Sequence, residues 1–477
     1  MNQLDVDVAI IGAGTAGLAA YRAAIAQGRR TVLIEGGPYG TTCARVGCMP
    51  SKLLIAAGDA AHMLQAASGF GVHSGEARID GQAVMARVRL ERDRFVGFVL
   101  DIVDNIPARD KLIGNACFTG PQALQVGEHT IVNASRIVLA TGSTPVRLDE
   151  LAKAGPGVII SDDIFEMTDL PRSLAVIGTG VIGLELGQAM SRLGVRVSFF
   201  ARGGSVAQLT DPEVLHVATK TLCAELDLRF QNVIVGAEPD GDEVLLTTRD
   251  ANGAERSERF QYVLMAAGRT PNVNDIGIEH SGVELDETGI PLFDKHTMQC
   301  GTSHIFIAGD ASDERPVLQE AADHGKIAGD NAGRYPDVRP GLRRTPLMIA
   351  FTEPQIATLG ATYRELCEEG MPKFAVGMVS FENQGRSRVM LQNRGMLRLY
   401  AEYGIGRFLG AEMIGPRAEH LAHLLSWACQ ARMTVDQMLE MPFYHPVVEE
   451  GVRTALRALH EELARDRAVM ATDAVGA

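Results

Sequence analysis

Two glycine-rich turns constrain the fold of this chain more than any other feature. The segment 12–17 (GAGTAG) follows an apolar run from Asp5 to Ile11, and the segment 178–183 (GTGVIG) follows a second run from Ser173 to Ile177. Such runs predict buried parallel strands, and the residues after each turn have a helical pattern. Glycines in a G-x-G-x-x-G turn let the backbone approach a pyrophosphate at the helix N-terminus. The chain is therefore predicted to contain two βαβ nucleotide-binding units.

The strand after the first turn ends in an acidic residue. Glu35 lies 18 residues after Gly17 (35 − 17), where a carboxylate can accept a hydrogen bond from a ribose hydroxyl. A lone glycine pattern would be weak evidence, but here a strand, a helix, a second strand and an acid follow in register. This agreement favours a dinucleotide site over a chance glycine turn.

Two cysteines follow this unit. Cys43 and Cys48 lie five positions apart, just before a helix predicted from Ser51 to Ala67. A helix N-terminus stabilises a thiolate, and thiol–disulfide exchange needs one accessible sulfur and one resolving sulfur. The pair therefore suggests redox chemistry. The alternatives are two unrelated buried thiols or a zinc half-site, which would need two more ligands at similar spacing that we do not find.

Composition limits the functional classes. The length of 477 residues predicts two to four domains, and 46% hydrophobic with 22% charged residues is typical of a soluble globular protein. A net charge of −14 argues against a nucleic-acid partner, and the sequence has no apolar run long enough to predict a membrane span. Seven scattered cysteines and an N-terminus without a signal pattern favour a cytoplasmic location.

Three further segments place small or acidic residues after apolar runs. They are Ala140–Ser143 (ATGS), Gly268–Asn272 (GRTPN) and Ile305–Asp310 (IFIAGD). Small residues at such turns allow a cofactor to approach the backbone closely. From about Thr345 strand-like and helical runs alternate, which predicts an α+β domain suited to a dimer interface.

Together these segments resemble the flavin-dependent pyridine nucleotide–disulfide oxidoreductases, a family that includes dihydrolipoyl dehydrogenase, glutathione reductase, mercuric reductase and the soluble transhydrogenase. The resemblance covers nearly the whole chain and rests on segments 12–17 (GAGTAG), 43–52 (CARVGCMPSK), 140–143 (ATGS), 178–185 (GTGVIGLE), 268–272 (GRTPN), 305–310 (IFIAGD) and 444–450 (YHPVVEE). It implies an α/β fold with two Rossmann-like dinucleotide-binding domains and a C-terminal α+β dimerisation domain.

The resemblance also implies domain boundaries and cofactors. The expected domains are an FAD-binding domain at 1–150, an NAD(P)-binding domain at 151–275, a segment completing the FAD domain at 276–344, a dimerisation domain at 345–465 and a flexible tail at 466–477. The expected cofactors are FAD and either NADPH or NADH.

Individual roles follow from the same resemblance. Cys43 would exchange with the substrate, and Cys48 would form the thiolate that faces the flavin. Lys52 and Glu185 would form an ion pair beside the reactive flavin nitrogen, where a lysine can stabilise negative charge. Asp310 would bond to the ribityl chain of the flavin.

The implied cofactor contacts lie in the glycine turns, the cysteine segment, the adenine-side strand and the small-residue turns. They are Gly12, Gly14, Gly17, Glu35, Thr42, Lys52, Ala116, Thr141, Gly142, Ser143, Gly178, Gly180, Gly183, Glu185, Arg202, Gly268, Arg269 and Asp310.

His445 and Glu450 are the expected acid–base pair. Proton transfer to and from a dithiol needs a group that titrates near neutral pH, and a carboxylate on the far ring nitrogen would fix the histidine tautomer. Glu450 matches the family position by spacing, although Glu449 is adjacent. In the family this histidine reaches the cysteines of the other subunit, so a homodimer with a shared active site is implied.

The second glycine turn lacks the acidic residue of the first. At the same offset (183 + 18) stands Ala201, followed by Arg202. Alanine cannot bond a ribose 2′-hydroxyl, whereas arginine can pair with a 2′-phosphate, which favours NADPH. No second basic residue occurs between Gly203 and Leu209, so the expected preference is modest or mixed; a solvated surface arginine is the alternative.

The substrate expected from the resemblance is a dithiol or disulfide. Met49–Lys52 resembles the lipoamide and mercuric enzymes, whereas Tyr444–Pro446 resembles the enzymes with thiol substrates. The absence of a C-terminal cysteine pair disfavours mercuric and thioredoxin reductases, and the cysteine pair disfavours the transhydrogenase. The chain is most like dihydrolipoyl dehydrogenase, although Val317–Ala322 departs from its pattern. The alternatives are an NADPH-dependent reductase of another small disulfide and a non-catalytic redox-sensing flavoprotein.

Overall fold

The computed structural model describes residues 2–73, 75, 78–368 and 370–475, with side chains described to residue 465. The chain forms two compact units, each assembled from three separate stretches. Unit 1 comprises Met1–Leu53, Ala86–Val146 and Gly268–Arg343, and unit 2 comprises Leu54–Met85, Arg147–Ala267 and Arg344–Ala477.

The helices are numbered in chain order. They are α1 (Thr15–Ala26), α2 (Thr42–Val46), α3 (Cys48–Ala66), α4 (Gly81–Asp104), α5 (Ser161–Ile164), α6 (Val181–Arg192), α7 (Pro212–Cys223), α8 (Leu318–Arg334), α9 (Tyr363–Leu366), α10 (Gly385–Val389), α11 (Ala418–Gln430), α12 (Val435–Leu439) and α13 (Glu450–Val475). No helix in the described part of the chain is both long enough and apolar enough to cross a membrane.

The strands are likewise numbered in chain order. They are β1 (Asn2–Ile11), β2 (Thr31–Glu35), β3 (Lys111–Ile113), β4 (Ala116–Gly120), β5 (Ala123–Val126), β6 (Thr130–Leu139), β7 (Ser143–Pro145), β8 (Val158–Ile160), β9 (Ser173–Ile177), β10 (Arg196–Ala201), β11 (Asp227–Phe230), β12 (Val233–Asp240), β13 (Glu243–Arg249), β14 (Glu255–Phe260), β15 (Tyr262–Met265), β16 (Arg269–Pro271), β17 (Ile305–Ile307), β18 (Leu347–Ala350), β19 (Gln355–Gly360), β20 (Phe374–Ser380), β21 (Met396–Glu402) and β22 (Phe408–Gly415).

Unit 1 is built on a sheet with the order β3-β2-β1-β6-β5-β4, in which β17 also pairs with β6. β1 runs parallel to β2 and β6, with Ile10 opposite both Leu33 and Val138. These three side chains are fully buried, as expected for a parallel sheet covered on both faces. The carboxyl ends of β1, β6 and β17 therefore meet at one edge, where the glycine and small-residue turns follow.

Helices α1 and α8 of unit 1 pack with their backbones in close contact. A Cβ on Gly325 would lie 2.1 Å from the carbonyl oxygen of Ala16, and a Cβ on Gly329 would lie 2.3 Å from that of Ala20. Real Cβ atoms do not approach oxygen this closely, so only glycine allows the two helix backbones to touch here. The helix that follows the first glycine turn is thereby held in place.

We predict that Gly329→Ala destabilises unit 1 by about 3 kcal/mol, because the added methyl group must push α8 away from α1. The matched control is Gly97→Ala in α4, where a Cβ meets no atom within 4 Å; it should be neutral or stabilising by about 0.5–1 kcal/mol. Denaturant unfolding followed by circular dichroism measures both. Equal stability of the two variants would contradict the proposed packing constraint.

Unit 2 contains a parallel sheet and two antiparallel sheets. The parallel sheet has the order β11-β10-β9-β15-β8, with the second glycine turn between β9 and α6. One antiparallel sheet has the order β12-β13-β14, and the other has the order β18-β19-β22-β21-β20. The last sheet shares a buried apolar core with side chains of α11 and α13. The predictions of a second nucleotide-binding fold and of a C-terminal α+β domain are therefore confirmed.

A buried arginine on α6 ties several parts of unit 2 together. The Arg192 side chain is only 4% exposed and pairs with Asp59 at 2.8 Å and with Glu225 at 2.7 Å. It also donates to the backbone oxygen of Glu353. Burial raises the pKa of the Glu353 carboxyl to about 6, with the charges of Asp59 and Glu225 adding to the shift and that of Arg192 opposing it.

This pKa predicts a pH-dependent effect of Glu353→Gln. A carboxyl whose folded pKa lies above its unfolded value stabilises the fold fully below the unfolded pKa, and loses that contribution as pH rises through about 6. The variant, which carries no charge, should therefore gain up to about 2 kcal/mol over wild type at pH 8 and much less at pH 5. Thermal unfolding at both pH values tests this. An equal gain at both pH values, or one matched by the exposed control Glu287→Gln, would contradict it.

The C-terminal segment of the chain is helical over most of its length. The backbone of α13 is helical to Val475, and residues 476 and 477 of the expected flexible tail (466–477) lie outside the described residues. The flexibility of this tail and the boundaries of the five expected segments stay predictions.

Candidate active site

The first glycine turn leaves the N-terminus of α1 open. Gly14 is the N-cap residue and, as a glycine, supplies no side-chain cap to the first N–H groups of the helix. A Cβ on Gly14 would meet no atom within 4 Å, whereas one on Gly17 would lie 1.8 Å from the oxygen of Gly12. Gly12 itself has φ +104°, a conformation that L side chains rarely adopt. The turn therefore offers free backbone donors beside open space, which suits a pyrophosphate.

The carboxylate of Glu35 is fixed at the same turn. Its Oε2 accepts a hydrogen bond from the N–H of Ala13 at 2.7 Å, and its Oε1 accepts one from the N–H of Gly37 at 2.8 Å. A ribose contact through this carboxylate is compatible with that geometry and stays a prediction.

The predicted cofactor contacts on the small-residue turns form one hydrogen-bonded cluster. Ser143 donates from Oγ to Asp310 at 2.8 Å, and Arg269 donates from Nε to Ser143 Oγ at 2.8 Å. Thr141 and Asn272 extend the cluster, since Asn272 Nδ2 donates a hydrogen bond to the backbone oxygen of Thr141 at 3.1 Å. We did not single out Asn272 as a site residue from the sequence, although it belongs to the GRTPN segment.

The flanks of this cluster include two glycines and the adenine-side strand. Gly142 and Gly268 have φ values of +72° and +123°, so both turns need glycine. Ala116 is buried at the start of β4. The N–H of the nearby Gly114 donates a hydrogen bond to the backbone oxygen of Glu35 at 2.8 Å. The expected adenine contact near Ala116 stays a prediction.

The cysteine pair spans the junction of α2 and α3. Cys43 lies in α2, which starts at the exposed Thr42, and Cys48 is the first residue of α3. A Cβ on Gly47 would lie 3.1 Å from the Thr42 oxygen and 3.2 Å from Cys43 Cα, so glycine is favoured where the chain doubles back. Cys48 is exposed and Cys43 is half-buried.

The cysteine pair shifts the titration of Cys43. The pKa of the Cys43 thiol lies well above its ordinary value, first because of hydrogen bonding with the Cys48 side chain, and second because the thiol is buried. The charge of Lys52 opposes this shift. This direction is compatible with the expected roles, in which Cys43 keeps the proton of the reduced pair and the thiolate forms on Cys48 at the N-terminus of α3; that assignment stays a prediction.

The second glycine turn repeats the geometry of the first. Gly180 is the N-cap residue of α6 without a side-chain cap, and its Cβ would meet no atom within 4 Å. Gly178 has φ +115°, and a Cβ on Gly183 would lie 2.5 Å from the Gly178 oxygen. Arg202 follows the end of β10 and is exposed to solvent.

Glu185 is buried on α6, and its Oε1 accepts a hydrogen bond from the N–H of Phe351 at 2.9 Å. Lys52, which donates to Ser51 Oγ at 3.3 Å, belongs to unit 1, whereas Glu185 belongs to unit 2. The Lys52–Glu185 ion pair stays a prediction.

The structure brings His445 to Glu450. His445 Nδ1 lies 3.1 and 3.2 Å from the two carboxylate oxygens of Glu450, and the N–H of Val447 also donates to Glu450. The hydrogen bond with His445 is the main cause that lowers the pKa of the Glu450 carboxyl. The contact with Glu450 is made through Nδ1, and the His445 side chain is 81% exposed. The acid–base role of His445 stays a prediction.

Comparison with known proteins gives two family matches. The model described as pyridine nucleotide-disulphide oxidoreductase matches residues 6–325. The model of the dimerisation domain of the same family matches residues 347–456.

Curated relatives and a solved structure cover nearly the whole chain. A mercuric reductase of Streptomyces lividans is 31% identical over 96% of this chain and 97% of its own length. A dihydrolipoyl dehydrogenase of Vibrio parahaemolyticus is 27% identical over 95% of each chain. The flavoprotein disulfide reductase RclA of Escherichia coli, solved as a Cu(II) complex, superposes with a TM-score of 0.78 at 20% identity over 96% of this chain and 99% of its own. These matches do not separate the mercuric from the lipoamide type.

The assignment of charge to Cys48 predicts different spectra for two serine variants. In the flavin-loaded protein, Cys43→Ser should show a long-wavelength thiolate–flavin absorbance at neutral pH, because the serine hydroxyl can still donate to the Cys48 thiolate. Cys48→Ser should lack this absorbance. Spectra recorded from pH 5 to 9 test this, and a band in Cys48→Ser alone would reverse the assignment.

Proposed function

The chain belongs to the pyridine nucleotide–disulphide oxidoreductase family, whose members use FAD and NAD(P)H, and we propose that its substrate is a small dithiol or disulfide of the dihydrolipoamide type. The single observation that carries this proposal is the His445–Glu450 pair, held at 3.1 Å. A base of this kind serves a thiol that must gain or lose a proton.

The residues present fit both nucleotides. Two helix N-termini lack a side-chain cap and face open space at Gly14 and Gly180. The Glu35 carboxylate is fixed beside the first turn, where we place the FAD ribose. Bound FAD supplies electron transfer between the nicotinamide and the cysteine pair.

Groups from two copies of the chain then perform the exchange, with the cysteines from one copy and the histidine from the other. In the reducing direction, the Cys43 proton passes to His445, and the Cys43 thiolate attacks one sulfur of the substrate disulfide. A mixed disulfide forms, and the leaving thiolate takes the proton from His445. The Cys48 thiolate then attacks Cys43, which releases the second substrate thiolate and leaves a Cys43–Cys48 disulfide. Glu450 keeps the histidine oriented throughout.

We also propose that the active site is shared between two subunits of a cytoplasmic homodimer. The chain carries the family's dimerisation domain. Tyr444 and His445 have side chains that are 80% or more exposed in the single chain, which suits residues that act in another subunit. The scattered cysteines support a reducing compartment.

Reduction of mercuric ion is a second candidate, favoured by the 31% identity to a mercuric reductase. A substrate panel separates the candidates: lipoamide, glutathione disulfide, other small disulfides and mercuric ion, each assayed with NADPH and NADH. Turnover of mercuric ion alone would reject the dithiol proposal. No turnover of any substrate, with nicotinamide oxidation unchanged in Cys48→Ser, would favour a non-catalytic flavoprotein.

We predict that His445→Gln lowers disulfide reduction by about 10²–10⁴-fold, because general acid–base catalysis is lost. Reduction of a one-electron acceptor at the flavin should be unchanged. The matched control is His460→Gln, since His460 also pairs with a carboxylate, Asp436, at 2.7 Å. Steady-state rates with both acceptors test this. Equal loss with both acceptors, or in both variants, would contradict the assigned role.

We further propose that NADPH is preferred over NADH through Arg202. Removing its charge in Arg202→Ala should lower kcat/KM for NADPH by about tenfold and change that for NADH little, because only NADPH carries the 2′-phosphate. Specificity constants for both nucleotides are the measurement. Equal kcat/KM values for NADPH and NADH in both wild type and variant would contradict the proposal.

A further inference from the structure

The loop after β10 has an exposed part and a buried part. Arg202, Gly203, Gly204 and Ser205 are exposed, whereas Val206 is fully buried. Within the part of the chain that the structure describes, a Cβ on Gly203 or Gly204 would meet no atom within 4 Å. Arg202 therefore lies between the end of β10 and two anchors farther along the loop, one at Ser205 and Ala207 and the other at Thr210 and Asp211.

Thr179 supplies the nearer anchor. Its side chain is buried, and its Oγ1 donates a hydrogen bond to the Ser205 oxygen at 2.6 Å. The N–H of Ala207 donates a hydrogen bond to the backbone oxygen of Thr179 at 2.8 Å. Ala207 has φ +47°, a left-handed conformation that costs about 1–2 kcal/mol in a residue other than glycine. The tether to Thr179 helps to hold this conformation.

A buried carboxylate supplies the farther anchor. Glu412 is fully buried, and its Oε2 accepts hydrogen bonds from the N–H groups of Thr210 and Asp211 at 2.7 and 2.9 Å. Its Oε1 accepts a further one from the N–H of Tyr363 at 2.9 Å. The far end of the loop is thus hydrogen-bonded to β22.

We infer that Thr179 is a positioning residue for nucleotide discrimination, acting through the loop that carries Arg202. Thr179 stands between Gly178 and Gly180, so one residue joins the turn that approaches the pyrophosphate to the loop that would meet the 2′-phosphate. Only two glycines separate Arg202 from Ser205, so release of Ser205 lets Arg202 shift away from the phosphate. This inference rests on the proposed NADPH preference.

The test measures binding of 2′,5′-ADP and of 5′-ADP to the flavin-loaded protein by calorimetry. Thr179→Val removes the hydroxyl at nearly constant volume and should weaken 2′,5′-ADP about tenfold, the equivalent of one hydrogen bond, while 5′-ADP changes less than about twofold. Thr179→Ser keeps a hydroxyl and should bind both ligands as wild type does. The matched control is Thr221→Val in α7, which also loses a hydroxyl-to-carbonyl hydrogen bond.

The outcomes separate the proposed NADPH preference from the proposed role of Thr179. Wild-type binding without preference for 2′,5′-ADP would overturn both the NADPH proposal and this inference. A wild-type preference that persists in Thr179→Val would overturn this inference alone. Equal weakening of both ligands would show a merely structural role and also overturn it. If Thr179→Val does not fold, Thr179→Ala, which cannot overpack the site, is measured in its place with the same expectations.

Discussion

The pairing of Cys43 with Cys48 is the interaction on which the rest of this site depends. It raises the pKa of the half-buried Cys43 thiol, and the proposed roles place the charge of the reduced pair on the exposed Cys48. Gly47 permits the approach, and the start of α3 at Cys48 stabilises the thiolate. Because the two sulfurs differ in charge and exposure, one can serve the substrate and the other the flavin.

The surrounding scaffold is built around backbone groups that remain available to ligands. α1 and α6 begin at uncapped glycines, whereas α7 is capped by Asp211. A side-chain cap would occupy the donors that a pyrophosphate needs. The close contact of α1 with α8 holds α1 in place near its N-terminal turn, and the ion pairs of the buried Arg192 fix the last residue of α6.

The sequence predicted the strands, helices and motifs that depend on the order of residues within short segments. The strands before Gly12 and Gly178, the helices after them and the cysteine pair follow from short segments whose spacing has a physical meaning. The sequence could not predict contacts between distant segments: Asn272 bonding to Thr141, or Glu412 anchoring the loop after β10. Such pairs depend on how the sheets fold the chain, and no periodicity records them. Spacing favoured Glu450 over the adjacent Glu449, and the structure brings Glu450 to the histidine.

The central claim is that the Cys43–Cys48 pair stores electrons that pass between the nicotinamide and a substrate disulfide. Anaerobic titration of the flavin-loaded protein with NADPH tests this most directly, because it counts the electrons taken up before the oxidised flavin absorbance is lost. The first equivalent should reduce the disulfide and leave most of that absorbance in place. Complete bleaching by the first equivalent, with both cysteines present, would contradict it.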